Sequence, residues 1–182
     1  MDKIIQSDLY RYNGLKGISG FFKGLKYPGF RYMFFFRKTA STSKRSLFGI
    51  FYRLMLSHYK YKYGFQIPAG TKIGKGFFIG HFGNIIINAG AVIGDNCNFS
   101  PGVTIGKTNR GKMKGIPVLG NRVWVGTGVV IVGNVKIGSD VLIAPNAYVN
   151  FDVPEHSIVI GNPGKIIEKQ NPTEGYINNQ AQ

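Results

Sequence analysis

Aliphatic and aromatic residues recur with a period of six between Ile67 and Val149, and the period is interrupted twice. In most repeats a small or branched residue follows four places later, as at Ala91 and Val103. A six-residue period is typical of a parallel β-helix, in which three hexads form one triangular coil. The pattern predicts a mainly β protein with a β-helix domain over residues 65–164. A little over four coils would stack thirteen anchors: Ile67, Ile73, Ile79, Ile87, Ile93, Phe99, Ile105, Leu119, Val125, Ile131, Ile137, Ile143 and Val149.

Residues 1–64 follow helical spacing instead. Within residues 45–63, Leu47, Phe51, Leu54 and His58 are three or four positions apart, which predicts an amphipathic helix. On that helix we expect His58 to be a packing residue rather than a catalytic one.

Two further segments flank the repeats. An earlier helix is expected within residues 5–26, ending near Pro28. We expect the N-terminal helices to cover one end of the β-helix, where strand edges would otherwise be unpaired. Residues 165–182, rich in Asn and Gln, are expected to form a loose C-terminal tail.

The basic charge of the chain is concentrated in the helical segment. The formal net charge is +15, and residues 1–64 hold 13 Lys and Arg against Asp2 and Asp8, a balance of +11. Aromatic and basic residues are interleaved there. This mixture fits packing on the β-helix or a neighbouring subunit, peripheral contact with an anionic membrane, or nucleic-acid binding. No nucleic-acid motif accompanies the charge, so we predict no nucleic-acid partner.

Cysteine content and the N-terminus indicate the compartment. A single cysteine excludes an internal disulfide, and Cys97 occupies a small-residue position of a repeat, so we expect buried packing. No signal-peptide pattern is visible, and the apolar stretches are shorter than the ~20 residues that span a bilayer. We predict a cytoplasmic protein, with peripheral contact at the inner face of the membrane through residues 1–64 as an alternative.

Both interruptions of the period add polar groups. The spacing from Ile79 to Ile87 is eight, which pushes out a bulge that contains His81. The spacing from Ile105 to Leu119 is fourteen, so a polar, basic loop at residues 107–117 projects from the β-helix. Loops of this kind usually contact a neighbouring molecule or a ligand.

These features resemble the hexapeptide-repeat acyltransferases. The resemblance covers roughly residues 64–168 and rests on the repeats, the His81 bulge, the projecting loop, the stretch VWVGTG at 123–128 and the motif GNPGK at 161–165. The chain is most similar to the serine acetyltransferase-like group, which includes bacterial capsular and exopolysaccharide O-acetyltransferases. The resemblance implies a left-handed β-helix and a homotrimer that binds acetyl-CoA in clefts between subunits.

The resemblance also implies roles for individual residues. His81 would be the general base that deprotonates an acceptor hydroxyl, and a purely structural turn histidine is the alternative. His156 is expected to be a turn residue. Acetyl-CoA would run along the coil corners and meet five residues: Gly126, Thr127, Ala144, Pro145 and Lys165. Candidate contacts to the acceptor are Asn84, Lys107, Arg110 and Trp124, although Trp124 fits plain β-helix surface equally well.

Three positions depart from the serine acetyltransferase pattern. Gln66 stands where an aspartate normally precedes the first hexad, Gly80 replaces the acid before the histidine, and Ile116 replaces a second histidine. The missing groups would orient the base and hold the charged ends of serine. We therefore expect the acceptor to be a sugar hydroxyl of a polysaccharide, such as a capsule, or of its lipid-linked precursor. Serine or xenobiotic acetylation is the alternative.

The repeats alone are also compatible with two other functions. A γ-class carbonic anhydrase needs three zinc-binding histidines from neighbouring coils, whereas only His81 lies on the repeats, so we predict no metal. The net charge motivates a non-enzymatic scaffold or a nucleic-acid-binding trimer. Most of that charge lies outside the repeats, which argues against both.

Overall fold

Three parallel sheets form the walls of a left-handed β-helix in the computed structural model, which describes residues 2–181. Sheet A contains β1 (Phe65–Gln66), β4 (Ile85–Ile87), β7 (Thr104–Gly106), β10 (Val130–Val132) and β13 (Tyr148–Val149). Sheet B contains β2 (Lys72–Ile73), β5 (Val92–Ile93), β8 (Val118–Leu119) and β11 (Lys136–Ile137). Sheet C contains β3 (Phe78–Ile79), β6 (Asn98–Phe99), β9 (Val123–Val125), β12 (Val141–Ile143), β14 (Ser157–Ile160) and β15 (Lys165–Glu168). The predicted fold class is confirmed.

The side chains that keep the six-residue period fill the interior. All thirteen anchors are buried, and so are the small or branched residues that follow them. Parallel pairing places Ile105 between Ile87 and Ile131, so equivalent positions stack coil upon coil. Five coils are present rather than a little over four, because Val153 and Val159 continue the buried positions.

Four helices precede the β-helix: α1 (Lys3–Tyr10), α2 (Gly17–Gly24), α3 (Pro28–Ser41) and α4 (Leu47–Tyr63). We call residues 3–63 the helical cap. The prediction of α4 is confirmed. A helix does end near Pro28, at Gly24, but the segment before it forms two short helices rather than one, and a further helix, α3, begins at Pro28. Pro28 lies in the first turn of α3, where its missing N–H costs no hydrogen bond and its fixed φ suits the helix.

Polar side chains of the cap close the first coil. They donate to its open main-chain carbonyls at 2.6–3.0 Å: Tyr32 to Ile67, Arg37 to Ile73 and Gly74, Arg11 to Gly76, and Tyr12 to Ile79. Asp8 accepts the main-chain N–H of Phe77 and forms a buried ion pair with Arg37 at 2.9 Å. Burial raises the pKa of Tyr12 and Tyr32, so both hydroxyls stay protonated donors. The cap therefore covers one end of the β-helix, as expected.

The C-terminal segment is not the loose tail that its composition suggested. Strand β15 pairs antiparallel with β14, and residues 171–181 then run back along the corner between sheets B and C. Three hydrogen bonds hold the segment near the cap: Asn98 Nδ2 to Tyr176 O, Ala181 N to Asn96 Oδ1, and Arg11 Nε to Asn178 O. Each contact joins residues far apart in sequence, which composition alone does not reveal.

Candidate active site

The bulge that carries His81 lies in the first coil, at the corner between sheets C and A. Helix α4 ends against it at Gly64, whose φ of 76° is left-handed. The main-chain N–H of Gly83 donates to the carbonyl of Tyr63 at 3.0 Å. A Cβ on Gly64 would lie 3.2 Å from the carbonyl carbon of Gly83, so glycine suits both the conformation and the close approach. The cap and the first coil together set the position of His81.

His81 is exposed, and its imidazole forms no hydrogen bond or ion pair within residues 2–181. Gln66, at the position of the missing acid, donates from Nε2 to Asn84 Oδ1 at 3.3 Å. Its side chain therefore contacts the end of the bulge rather than the imidazole. Gly80 has no side chain to offer. Nothing in the described part of the chain orients His81.

The residues expected along acetyl-CoA share the corner of His81 in later coils. In order along the corner they are Gly126, Thr127, Ala144, Pro145 and, just past it, Lys165. Thr127 and Pro145 are exposed and Ala144 is half-buried, so this corner presents short side chains. A Cβ on Gly126 would lie 2.8 Å from the main-chain nitrogen of Pro145, so glycine permits the coils to stack there. The arrangement fits an extended chain lying along the corner, and the individual contacts stay predictions.

The candidate acceptor residues are divided between different places. Asn84 belongs to the bulge itself. Lys107 and Arg110 lie in the projecting loop, at the corner between sheets A and B, so the loop and His81 occupy different corners of one subunit. Trp124 lies on β9 in sheet C, where its ring packs 5.0 Å from that of Tyr176.

The other two histidines lie apart from His81. His58 is exposed on α4, with its ring centroid 5.0 Å from that of Tyr59. His156 occupies a left-handed turn, as expected, and its Nδ1 lies 2.9 Å from Asp140 Oδ2. The other carboxylate oxygen of Asp140 accepts from the hydroxyl of Thr173. Sequence reasoning missed this cluster, although Asp140 and His156 occupy equivalent corner positions one coil apart.

Other chemistry is sparse in the described residues. Cys97 is buried, and burial raises the pKa of its thiol to about 12, which confirms a packing role rather than a reactive one. Within residues 2–181 no three His, Cys, Asp or Glu side chains are grouped so that they could hold a metal. Nor does any helix in that range have the length and apolar character needed to cross a membrane.

The His81 corner therefore combines an exposed imidazole with a run of short side chains. An exposed imidazole nitrogen can accept a proton from a neighbouring group, and the corner can lie against a linear carrier chain. A general base beside a surface that fits an extended carrier chain suits the transfer of an acyl group from that carrier to a nucleophile.

Known proteins share these features. Residues 116–150 match the family described as Bacterial transferase hexapeptide (six repeats). A serine acetyltransferase from Helicobacter pylori is 37% identical over 145 residues, which cover 80% of this chain and 84% of that protein. One from Staphylococcus aureus is 40% identical over 106 residues, 58% of this chain but only 50% of that protein.

Solved structures agree. Serine acetyltransferase from Brucella abortus in complex with Coenzyme A gives a TM-score of 0.75 at 25% identity, covering 92% of this chain and 67% of that one. Soybean serine acetyltransferase complexed with serine gives a TM-score of 0.71 at 25% identity, covering 91% of this chain and 68% of that one.

Fold, site and likenesses define an enzyme of the acyltransferase class. The chain belongs to the hexapeptide-repeat acyltransferase family, in its serine acetyltransferase-like branch. The relatives reported above are serine acetyltransferases, so the expected closeness to capsular and exopolysaccharide O-acetyltransferases stays a prediction.

Proposed function

We propose that this enzyme transfers an acetyl group from acetyl-CoA to a hydroxyl group, with His81 as general base. The observation that carries the proposal is the place of His81. It is exposed at a break in the repeat, on the same corner as the short residues of the later coils. The Coenzyme A complex of the Brucella abortus relative supports the same co-substrate here.

His81 supplies the proton transfer. A neutral imidazole nitrogen accepts the proton of the acceptor hydroxyl while that oxygen bonds to the acetyl carbonyl carbon. His81 then returns the proton to the leaving sulfur as the carbon–sulfur bond breaks. The acceptor gains the acetyl group, CoA leaves as the thiol, and the imidazole is neutral again.

The other corner residues bind and align. Thr127, Ala144 and Pro145 present little bulk, so a pantetheine arm can lie close to the main chain. Lys165, exposed beyond the corner, offers a positive charge to phosphate groups. This alignment would hold the thioester near His81 and leave the acceptor side open.

Serine is the first candidate acceptor. The relatives reported above are named serine acetyltransferases, and the soybean structure contains serine. This supports the serine alternative better than the sugar acceptor expected from the sequence.

A sugar hydroxyl is the second candidate because of one observation about charge. Acidic side chains on the β-helix lie at other corners than His81: Asp95, Asp140, Asp152 and Glu155. The positions that would bring charge to it hold Gln66, Gly80 and Ile116. The ammonium and carboxylate groups of a free amino acid need oppositely charged side chains when they leave water. A sugar hydroxyl is uncharged and needs none.

We further propose a homotrimer with active sites between subunits. The projecting loop and His81 occupy different corners of one chain. A trimer that brings Lys107 and Arg110 of one subunit to the His81 corner of the next would complete each site. That arrangement would also supply the orienting group that His81 lacks in its own chain.

An acceptor panel tests the function and separates the candidates. Free CoA thiol is measured with acetyl-CoA alone, with serine, and with a set of oligosaccharides, for the wild type and a Gln66→Asp/Gly80→Asp/Ile116→His variant. Rapid, saturable turnover of serine by the wild type supports serine as the acceptor and shows that charged groups at positions 66, 80 and 116 are not required. The sugar acceptor is supported if the wild type turns over an oligosaccharide and only the triple variant turns over serine. The proposal is contradicted if none of the hydroxyl acceptors raises the release of CoA thiol above that measured with acetyl-CoA alone. An Ile116→Leu variant controls for altered packing at that position.

A further inference from the structure

An apolar strip lies exposed on the helical cap. It comprises Ile18 and Phe22 of α2 and Leu47, Phe48, Ile50, Phe51 and Leu54 of α4. Ile18 is 81% exposed, Leu47 86% and Leu54 65%. The opposite side of α4 already covers the β-helix through Tyr52, Leu56, Tyr59 and Tyr63. The strip is therefore apolar surface that the fold of one subunit does not use.

The α2 and α4 parts of the strip are linked through α3 by aromatic rings that are half-buried or, for Phe35, buried. A chain of ring contacts links its two helices through α3: Phe22 to Phe21 at 5.7 Å, Phe21 to Phe34 at 5.2 Å, Phe34 to Phe35 at 5.1 Å, and Phe35 to Phe51 at 6.3 Å. A groove of about 460 Å³ opens beside Ile18, Phe22 and Phe34. Exposed apolar side chains grouped on a helix face mark an interaction site more often than scattered residues do.

Charge identifies the partner. Both acids of residues 1–64 are in ion pairs, Asp8 with Arg37 and Asp2 with Lys38. Residues 1–64 have a charge balance of +11, and exposed cations adjoin the strip in sequence: Lys23 and Lys26 at the end of α2, and Lys44 and Arg45 before α4. A second copy of the cap would bring the same positive charge against this one. An anionic surface would complement it.

We infer that the apolar strip docks on the surface of an anionic phospholipid bilayer. The aliphatic and aromatic side chains enter the boundary between headgroups and acyl chains, while Lys and Arg meet lipid phosphates. Helix α4 spans 17 residues, ~25 Å at ~1.5 Å per residue, and ends against the His81 bulge. Docking along α4 therefore brings the His81 corner within about one helix length of the lipid surface.

Vesicle flotation of the full chain tests the inference. Vesicles of phosphatidylcholine alone are compared with vesicles that also contain phosphatidylglycerol, at low and high salt. We expect binding to the anionic vesicles only, weakened by salt. Leu47→Ser/Leu54→Ser should reduce the bound fraction at least about tenfold, and Lys44→Glu/Arg45→Glu should do the same.

Matched variants at the far end of the β-helix control for exposure and charge. Ile166→Ser/Ile167→Ser removes exposed apolar side chains, and Lys136→Glu/Lys169→Glu reverses exposed charges there. Both should float like the wild type. Binding that ignores lipid charge, or that the strip variants do not change, would overturn the inference.

The competing occupant, a second copy of the chain, has its own signature. Sedimentation velocity without lipid would then show a smaller assembly for Leu47→Ser/Leu54→Ser than for the wild type, together with no flotation of either. That result would also overturn the inference. An unchanged assembly with lost flotation supports it.

Discussion

In the β-helix the apolar anchors occupy positions that repeat along the chain, whereas each buried polar contact of the cap occurs only once. Ile105 has equivalents above and below it in the same sheet. Asp8 has no equivalent: it alone joins Arg37 to the main chain of Phe77. The first region is stabilised by apolar volume, and the second also depends on the pairing of buried charges and hydrogen bonds. The two regions should therefore respond to mutation in different ways.

Breaking the ion pair of the cap should give the largest loss of stability. Asp8→Ala leaves the buried guanidinium of Arg37 without its counter-charge, and we expect a loss of about 3–5 kcal/mol. The matched control is Asp2→Ala, which removes a more exposed pair with Lys38 and should cost no more than about 1 kcal/mol. Urea unfolding at a fixed protein concentration measures both. Equal costs for the two variants would contradict the claim that the cap depends on a buried charge pair.

Removing apolar volume from the β-helix should cost slightly less, and the cost should repeat. Ile131→Ala and Ile105→Ala each truncate a fully buried anchor, for an expected loss of about 2–5 kcal/mol. Since the two positions are equivalent, their values should agree within about 1 kcal/mol. Val118→Ala, at a 42% exposed position, should change stability by no more than about 0.5 kcal/mol. Widely different values for the two isoleucines would show that the coils are not equivalent.

The contrast also explains what the sequence could predict. The period identified thirteen buried anchors, although not Val153 and Val159 of the last coil, and its two interruptions identified His81 and the projecting loop, because both signals are local in sequence. The cap hydrogen bonds and the packing of residues 171–181 were not predictable, since they depend on partners in distant parts of the chain. Helical spacing located α4 but did not show that Leu47 and Leu54 stay exposed.

The candidate site was predicted only in part. Small residues at the corners of successive coils follow from the repeat, so Gly126 and Ala144 could be aligned with His81 before the fold was known. The hydrogen bond from Gln66 to Asn84 could not be predicted, because the two residues are eighteen positions apart in the sequence. Nor could the pairing of His156 with Asp140, because residues sixteen apart stack only in a coil that is two residues shorter than three regular hexads.

The central claim is that His81, and neither of the other histidines, is the base in acetyl transfer. The most direct measurement is kcat for acetyl-CoA with the acceptor that supports turnover, in His81→Ala, His58→Ala and His156→Ala, with CoA binding measured separately. We predict that His81→Ala lowers kcat by about 10²–10⁴-fold and still binds CoA, while His58→Ala behaves as the wild type. His156→Ala should alter the stability of the C-terminal segment rather than kcat. A His81→Ala enzyme that retains wild-type turnover would contradict the account.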